Sequence, residues 1–213
     1  MFKPKELQSI IEGITEIQTD EFAFRLAQSS MENYMRDVLI MRLQKKIGTK
    51  NPNELVIPEW DRYDISIHSS YQLRNNPSLV IELKWSTVGF ALMGHPIDFL
   101  DKEIKKDVDG LLELSVASPK YQIFFMRHPQ TLPGSNYSTF IKGYDHHEKG
   151  FSILKDYNVT NRSSYSFEQL LHLKMEGYYK NLDPRINVDI FQIPSGEVLG
   201  TDWSIYVTIA TIP

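Results

Sequence analysis

The chain has 213 residues, 41% of them hydrophobic and 23% charged, with no Cys and a formal net charge of -4. This is ordinary globular composition and enough chain for one full core, so a single domain over residues 1–213 is expected. It excludes disulfides and thiolate metal sites, argues against a generally basic nucleic-acid binder, and leaves any phosphate-binding surface local.

No apolar run approaches membrane-spanning length, and the first residues lack the pattern of a signal peptide. The expectation is a cytoplasmic protein with no membrane partner. From Lys5 to Ile17, Leu7, Ile10, Ile11, Ile14 and Ile17 recur at helical spacing. Thr19-Asp20 then reads as the cap of a longer helix running to about Lys46 and ending before Gly48. Met31, Met35, Val38, Leu39 and Leu43 form its apolar stripe, with Glu32 one turn from Met35 on the stripe's edge. Two roles for Glu32 stay open: an acid reaching toward a site on the neighbouring sheet, or the closing residue of a capping box, Ser29-Ser30-Met31-Glu32.

Asn51-Pro52-Asn53 breaks the helix, and Leu55 to Ile57 reads as a first strand before Pro58. In the next stretch Tyr63, Ile65 and Ile67 alternate with Asp64, Ser66 and His68, the pattern of a half-buried strand. Leu79-Val80-Ile81-Glu82-Leu83-Lys84-Trp85 has the apolar, β-branched character of a buried strand, and Arg74-Asn75-Asn76-Pro77 lies in the intervening turn. Three such strands make an antiparallel meander. Side chains alternate along a strand, so Glu82 and Lys84 share one face and Leu83 takes the other. If Asp64 lies beside them, two carboxylates and one ammonium converge. Two hard oxygen ligands suit Mg²⁺ or Mn²⁺, which keep several waters, and a nearby Lys can orient a water or offset developing charge. Phosphodiester hydrolysis uses all three. Glu-x-Lys alone carries little weight, since Glu103-Ile104-Lys105 repeats it within a helical pattern, and taken by themselves these residues also fit a cross-strand ion pair at a sheet edge.

Trp85 and Phe90 in the following stretch read as core packing. Pro96 to Leu114 reads as a helix with Ile97, Leu100, Ile104, Val108, Leu111 and Leu112 inward and Lys102, Glu103, Lys105, Lys106 and Asp109 outward. Lys105 or Lys106 is a candidate for phosphate contact. Tyr121 to Met126 has the continuous apolar run of a buried parallel strand, which completes a strand–helix–strand crossover. Arg127 and His128, at that strand's end, are candidates for facing substrate. Asp145-His146-His147 lies in what reads as a solvated loop from Pro129 to Gly150. Ser166-Phe167-Glu168-Gln169 opens a helix to about Tyr179 through a capping box. Arg185–Ile193 and Trp203–Ile209 then pair as strands around Pro194-Ser195-Gly196.

The order helix, three strands, helix, strand, with the acids and lysine on the second and third strands, resembles the PD-(D/E)XK nuclease superfamily. The resemblance covers residues 20–128 and leaves 129–213 as a C-terminal α+β extension for substrate selection or a homodimer interface. It implies an α/β (α+β) restriction-endonuclease-like αβββαβ core with a mixed central sheet. It further implies that Asp64 and Glu82 bind Mg²⁺ or Mn²⁺, that the Leu83 carbonyl adds a ligand, that Lys84 positions the attacking water, and that Glu32 matches the acid of the first helix. Tyr63 departs from the family pattern, which has proline before the Asp, and Asp61 is a rival for the metal-binding position. The expected function is a metal-dependent nuclease acting on nucleic acid, by resemblance DNA. The alternative is a non-catalytic binding or assembly protein that retains the fold.

Overall fold

The computed structural model describes residues 2–14, 17–29, 31–69, 76–93, 100–116 and 118–213. In chain order they form α1 (Pro4–Glu12), α2 (Asp20–Gln28), α3 (Glu32–Gly48), β1 (Glu54–Trp60), β2 (Tyr63–Ser69), β3 (Leu79–Thr87) and α4 (Val88–Met93). A π-helical segment, Leu100–Ile104, runs into α5 (Lys105–Glu113). After it come β4 (Lys120–Pro129), α6 (Tyr144–Asn161), α7 (Phe167–Leu182), β5 (Asn187–Val198) and β6 (Thr201–Ile212). The six strands make one mixed sheet in the order β1-β2-β3-β4-β6-β5, in which only the β3–β4 pair is parallel among the described residues. The fold is therefore mixed α/β, with seven α-helices among the described residues.

Each face of the sheet carries its own core. On one face, Leu7 and Ile11 of α1, Leu26 of α2, and Met35, Leu39 and Leu43 of α3 pack against Ile65, Ile67, Ile81 and Leu83. On the other, Val108 and Leu111 of α5 and Leu170, Leu171 and Met175 of α7 pack against Val80, Phe124 and Met126. Odd and even positions of β3 thus go to opposite cores, as pleating requires. β4 is buried along its whole length, because it sits between β3 and β6 with helices over both faces.

Several local expectations need correction. The stripe from residue 20 to 46 is broken: α2 ends at Ser29, in extended conformation, and α3 restarts at Glu32. Thr19 does cap α2, accepting from the Phe22 N–H at 3.1 Å. The Ser29 hydroxyl instead donates back to the Arg25 carbonyl, and Glu32 is the first residue of α3 rather than its third, so the predicted capping box is not the arrangement formed. Ser30 lies outside the described residues, as do Arg74 and Asn75 of the predicted turn and residues 96–99 of the predicted helix. Asp145-His146-His147 belongs to α6 and not to a loop.

The C-terminal hairpin turns at Leu199-Gly200, not at Pro194-Ser195-Gly196, which forms a bulge within β5. That bulge is held against the start of α2, where the Glu197 N–H donates to Asp20 at 2.8 Å. The predicted capping box of the last long helix is present, with Ser166 and Gln169 bonding reciprocally. No described helix is long and apolar enough to cross a membrane.

Candidate active site

The site lies where β2 leaves β3. Their ladder pairs Ile67 with Leu79, Ser66 with Val80 and Ile65 with Ile81; the next pair, Asp64 and Glu82, stands beyond it. On β3 the N–H groups of Leu83 and Trp85 face the side that β2 has vacated, and a buried N–H without an acceptor is costly. Two carboxylates take them. Asp64 Oδ2 accepts from the Leu83 N–H at 2.8 Å, and Glu32 accepts from the Trp85 N–H. The Glu82 carboxylate approaches the Asp64 N–H at 3.4 Å. Asp64, Glu82 and Glu32, from β2, β3 and the first turn of α3, are thereby gathered at one strand opening. A residue's N–H and C=O point to the same side of an extended strand, so the Leu83 carbonyl also faces this opening.

Lys84 shares the Glu82 face, as alternation requires. Its ammonium lies 3.3 Å from Asp107 and 3.6 Å from Glu103. Asp107 stands on α5 and Glu103 on the preceding π-helical segment, four residues apart. Arg36, one turn beyond Glu32 on α3, pairs with Glu59 at 2.8 Å and lies 3.7 Å from Asp64 Oδ1. A cavity of about 370 Å³ opens here, lined by Arg62, Tyr63, Glu82, Lys84, Lys106, Asp107, Asp109, Gly110 and Glu113.

The electrostatics record an excess of negative charge. Burial, with Asp64 and Asp107 nearby, raises the Glu82 pKa to about 8. Burial raises Asp107 to about 6 despite its lysine, and burial likewise raises Glu32, with Asp64 adding to the effect. For Lys84 burial works against the charged form, but Asp107, Glu82 and Glu32 outweigh it and raise its pKa. An acid whose folded pKa exceeds its unfolded one binds more protons when folded, so its contribution to stability is lost as pH rises. Glu82 should therefore make the metal-free protein lose stability between about pH 6.5 and 8, by up to about 1.4 kcal/mol per pH unit. Below about pH 6.5 the buried histidines, whose pKa values burial lowers, oppose this trend. Denaturant titrations in chelator should show the slope above pH 6.5 in the wild type and its loss in Glu82→Gln.

Whether these residues suit a divalent cation can be read from the donor set. Asp64 and Glu82 are hard oxygen donors that repel each other across one opening, and a cation would relieve that repulsion. Among the described residues no three or more His, Asp or Glu form a ready-made metal cage. Mg²⁺ is commonly held by one or two carboxylates with water and substrate oxygens completing its shell, so a pair suffices.

Other predicted participants lie elsewhere. Arg127 and His128 do not face a cleft: they are 3% and 0% exposed. Arg127 donates to the carbonyls of Leu26, Ser29 and Lys142, tying the end of α2 to the segment after β4. His128 packs against Phe151 and Phe167. Asp61 sits in the β1–β2 turn, whereas Asp64 stands beside Glu82, its N–H 3.4 Å from the Glu82 carboxylate. Lys105 pairs with Asp109, and Lys106 faces the cavity. Trp85 packs on Phe125 in the core, as expected. Sequence reasoning missed Asp107 and Arg36. For Arg36 a signal existed in its spacing of four from Glu32 on one helix face.

No family model matches the chain, and neither the curated proteins nor the solved structures show a significant match to it.

Proposed function

We propose that the protein is a metal-dependent nuclease with a restriction-endonuclease-like core, hydrolysing phosphodiester bonds in nucleic acid, with DNA as the favoured substrate. The observation that carries the proposal is the gathering of Asp64, Glu82 and Glu32 at the opening between β2 and β3, with Lys84 on the Glu82 face. Asp64 and Glu82 would hold Mg²⁺ or Mn²⁺, with the Leu83 carbonyl and Glu32 at its edge. Such an ion supplies Lewis acidity toward a phosphate oxygen and eases deprotonation of the attacking water.

The chain's own residues do the rest. The Leu83 N–H fixes the Asp64 carboxylate through Oδ2, so a ligand would be taken by Oδ1, which lies 3.7 Å from the Arg36 guanidinium. The Trp85 N–H fixes Glu32 in the same way. Asp107 and Glu103 hold the Lys84 ammonium at the cavity wall, where it can orient water and offset negative charge on the phosphate. Because Asp107 remains partly buried beside this lysine, it keeps Lys84 charged rather than available as a base. Asp107 thus acts as a positioning residue.

The reading is tested without any substrate. Mg²⁺ and Mn²⁺ should raise the melting temperature of the wild type, because an ion that binds the folded state stabilises it by mass action. Asp64→Asn/Glu82→Gln should lose this response. Ca²⁺ should stabilise too, since it also takes oxygen ligands, but without supporting normal turnover. Equal stabilisation of both proteins would put the ion elsewhere and count against the proposed centre.

A further inference from the structure

The hairpin between β1 and β2 is closed by two residues, Asp61 and Arg62, with Trp60 paired to Tyr63 across it. Both turn residues have positive φ, 45° and 73°. That is the type I′ pattern, in which Gly or Asn is favoured because an L side chain crowds the backbone there. A long, branched arginine is a poor choice for the turn itself. Backbone strain of this sort clusters at ligand sites, where side-chain placement outweighs local preference.

The placement here is specific. The hairpin is pinned to α5 by the Tyr63 hydroxyl, which donates to the Gly110 carbonyl at 2.9 Å. Arg62 leans over the Tyr63 ring at 5.9 Å and enters the lining of the cavity that contains Glu82 and Lys84. Arg62 Nη2 and the Tyr63 hydroxyl both lie over Gly110, each 3.9 Å from where a Cβ would stand, an ordinary contact distance. The three cations of the lining differ in their commitments. Lys84 is held by Asp107 and Glu103, whereas neither Arg62 nor Lys106 is ion-paired among the described residues. Both are exposed. A guanidinium presents a planar fork of donors that matches two phosphate oxygens, and an ammonium adds a point charge.

We propose that Arg62 and Lys106 form a backbone-phosphate subsite that seats a nucleic-acid strand beside Glu82 and Lys84. This rests on the nuclease reading above and adds a substrate contact to it. Contacts to phosphate position a strand without reading its sequence, so the subsite should not discriminate among base sequences.

The test uses the full chain in Ca²⁺ with fluorescent single- and double-stranded DNA and RNA oligonucleotides, measuring Kd across a range of salt concentrations. Arg62→Asn and Arg62→Gly remove the charge while suiting the turn. Each should weaken binding about tenfold at low salt and reduce the magnitude of the log Kd against log salt slope by roughly 0.7–0.9, one phosphate contact. Their melting temperatures should equal or exceed that of the wild type, because a strained position has been relieved. Lys106→Ala should reduce the salt slope similarly. Wild-type binding with unchanged Kd and slope in Arg62→Asn overturns the subsite alone. Melting temperatures lowered by both Arg62 substitutions overturn the argument from the turn. Failure of the wild type to bind any of the oligonucleotides overturns the subsite together with the nuclease reading.

Discussion

Asp64→Ala, Glu82→Ala and Lys84→Ala should each lower cleavage by on the order of 10³-fold while leaving the protein folded. Asp64 and Glu82 supply the donors of the proposed centre, and Lys84 supplies the cation that Asp107 and Glu103 hold beside it. Their removal leaves both apolar cores intact, since none of the three belongs to either. Glu82→Ala should even stabilise the metal-free protein near pH 8, because it removes a buried acid that ionises there at a cost. Glu32→Gln should have a smaller effect, a reduced rate or a higher metal requirement, because the amide oxygen can still accept the Trp85 N–H. Single-turnover rates with circular dichroism on the same samples separate chemistry from folding. Full activity in Lys84→Ala would remove the lysine from the mechanism.

A second large effect is expected far from any chemistry. Helices α4 and α6 cross through glycines: a Cβ on Gly89 would overlap the His146 carbonyl oxygen, and one on Gly150 would lie 3.1 Å from the Gly89 Cα. Backbone meets backbone at this crossing, so no side chain can rotate away to make room. Gly89→Ala should therefore cost about 3 kcal/mol or more and lower the melting temperature by about 6–12 °C. Gly177→Ala is the matched control. It lies on the exposed face of α7 with nothing within 4 Å of the added Cβ, so it should gain roughly 0.5–1 kcal/mol from helix propensity. Thermal denaturation of the two variants decides the point. A Gly89→Ala protein as stable as the wild type would mean the helices do not cross as described.

The contrast between these two places explains what was readable from the sequence. Glu82 and Lys84 were legible because a strand enforces a period of two, and the apolar run of β3 declared the strand. Asp64 followed from the alternation of its own strand. Neither required knowledge of the partner helices. Asp107 was not legible, since its approach to Lys84 depends on a π-helical segment and on how α5 lies against β3, neither of which periodicity encodes. The same limit hid α6: Tyr144, His147, Phe151 and Leu154 do recur at helical spacing, but two histidines and Gly150 disguise an inward face that packs on Trp203 and Gly89.

Turn chemistry misled the reading of the C-terminal hairpin. Pro194-Ser195-Gly196 is a stronger turn signal than Leu199-Gly200, yet the triplet serves as a bulge docked on α2. Arg127 and His128 were misread for a different reason. The end of a buried strand faces a crevice only where the strands beside it stop, and here β6 continues past both of them, pairing Ile205 with Arg127 and Ser204 with His128. Tertiary contact, not local pattern, decided each of these cases.

The most direct test of the central claim is cleavage itself. Purified wild-type protein should be incubated with mixed single- and double-stranded DNA and RNA in Mg²⁺, Mn²⁺, Ca²⁺ or chelator, with Glu82→Ala in parallel. The account predicts fragmentation of at least one substrate in Mg²⁺ or Mn²⁺, little in Ca²⁺, none in chelator, and a rate lower by on the order of 10³-fold with the variant. Cleavage that persists in chelator, or that runs at the wild-type rate in Glu82→Ala, would contradict it, as would a folded wild type that leaves every substrate intact in both activating metals.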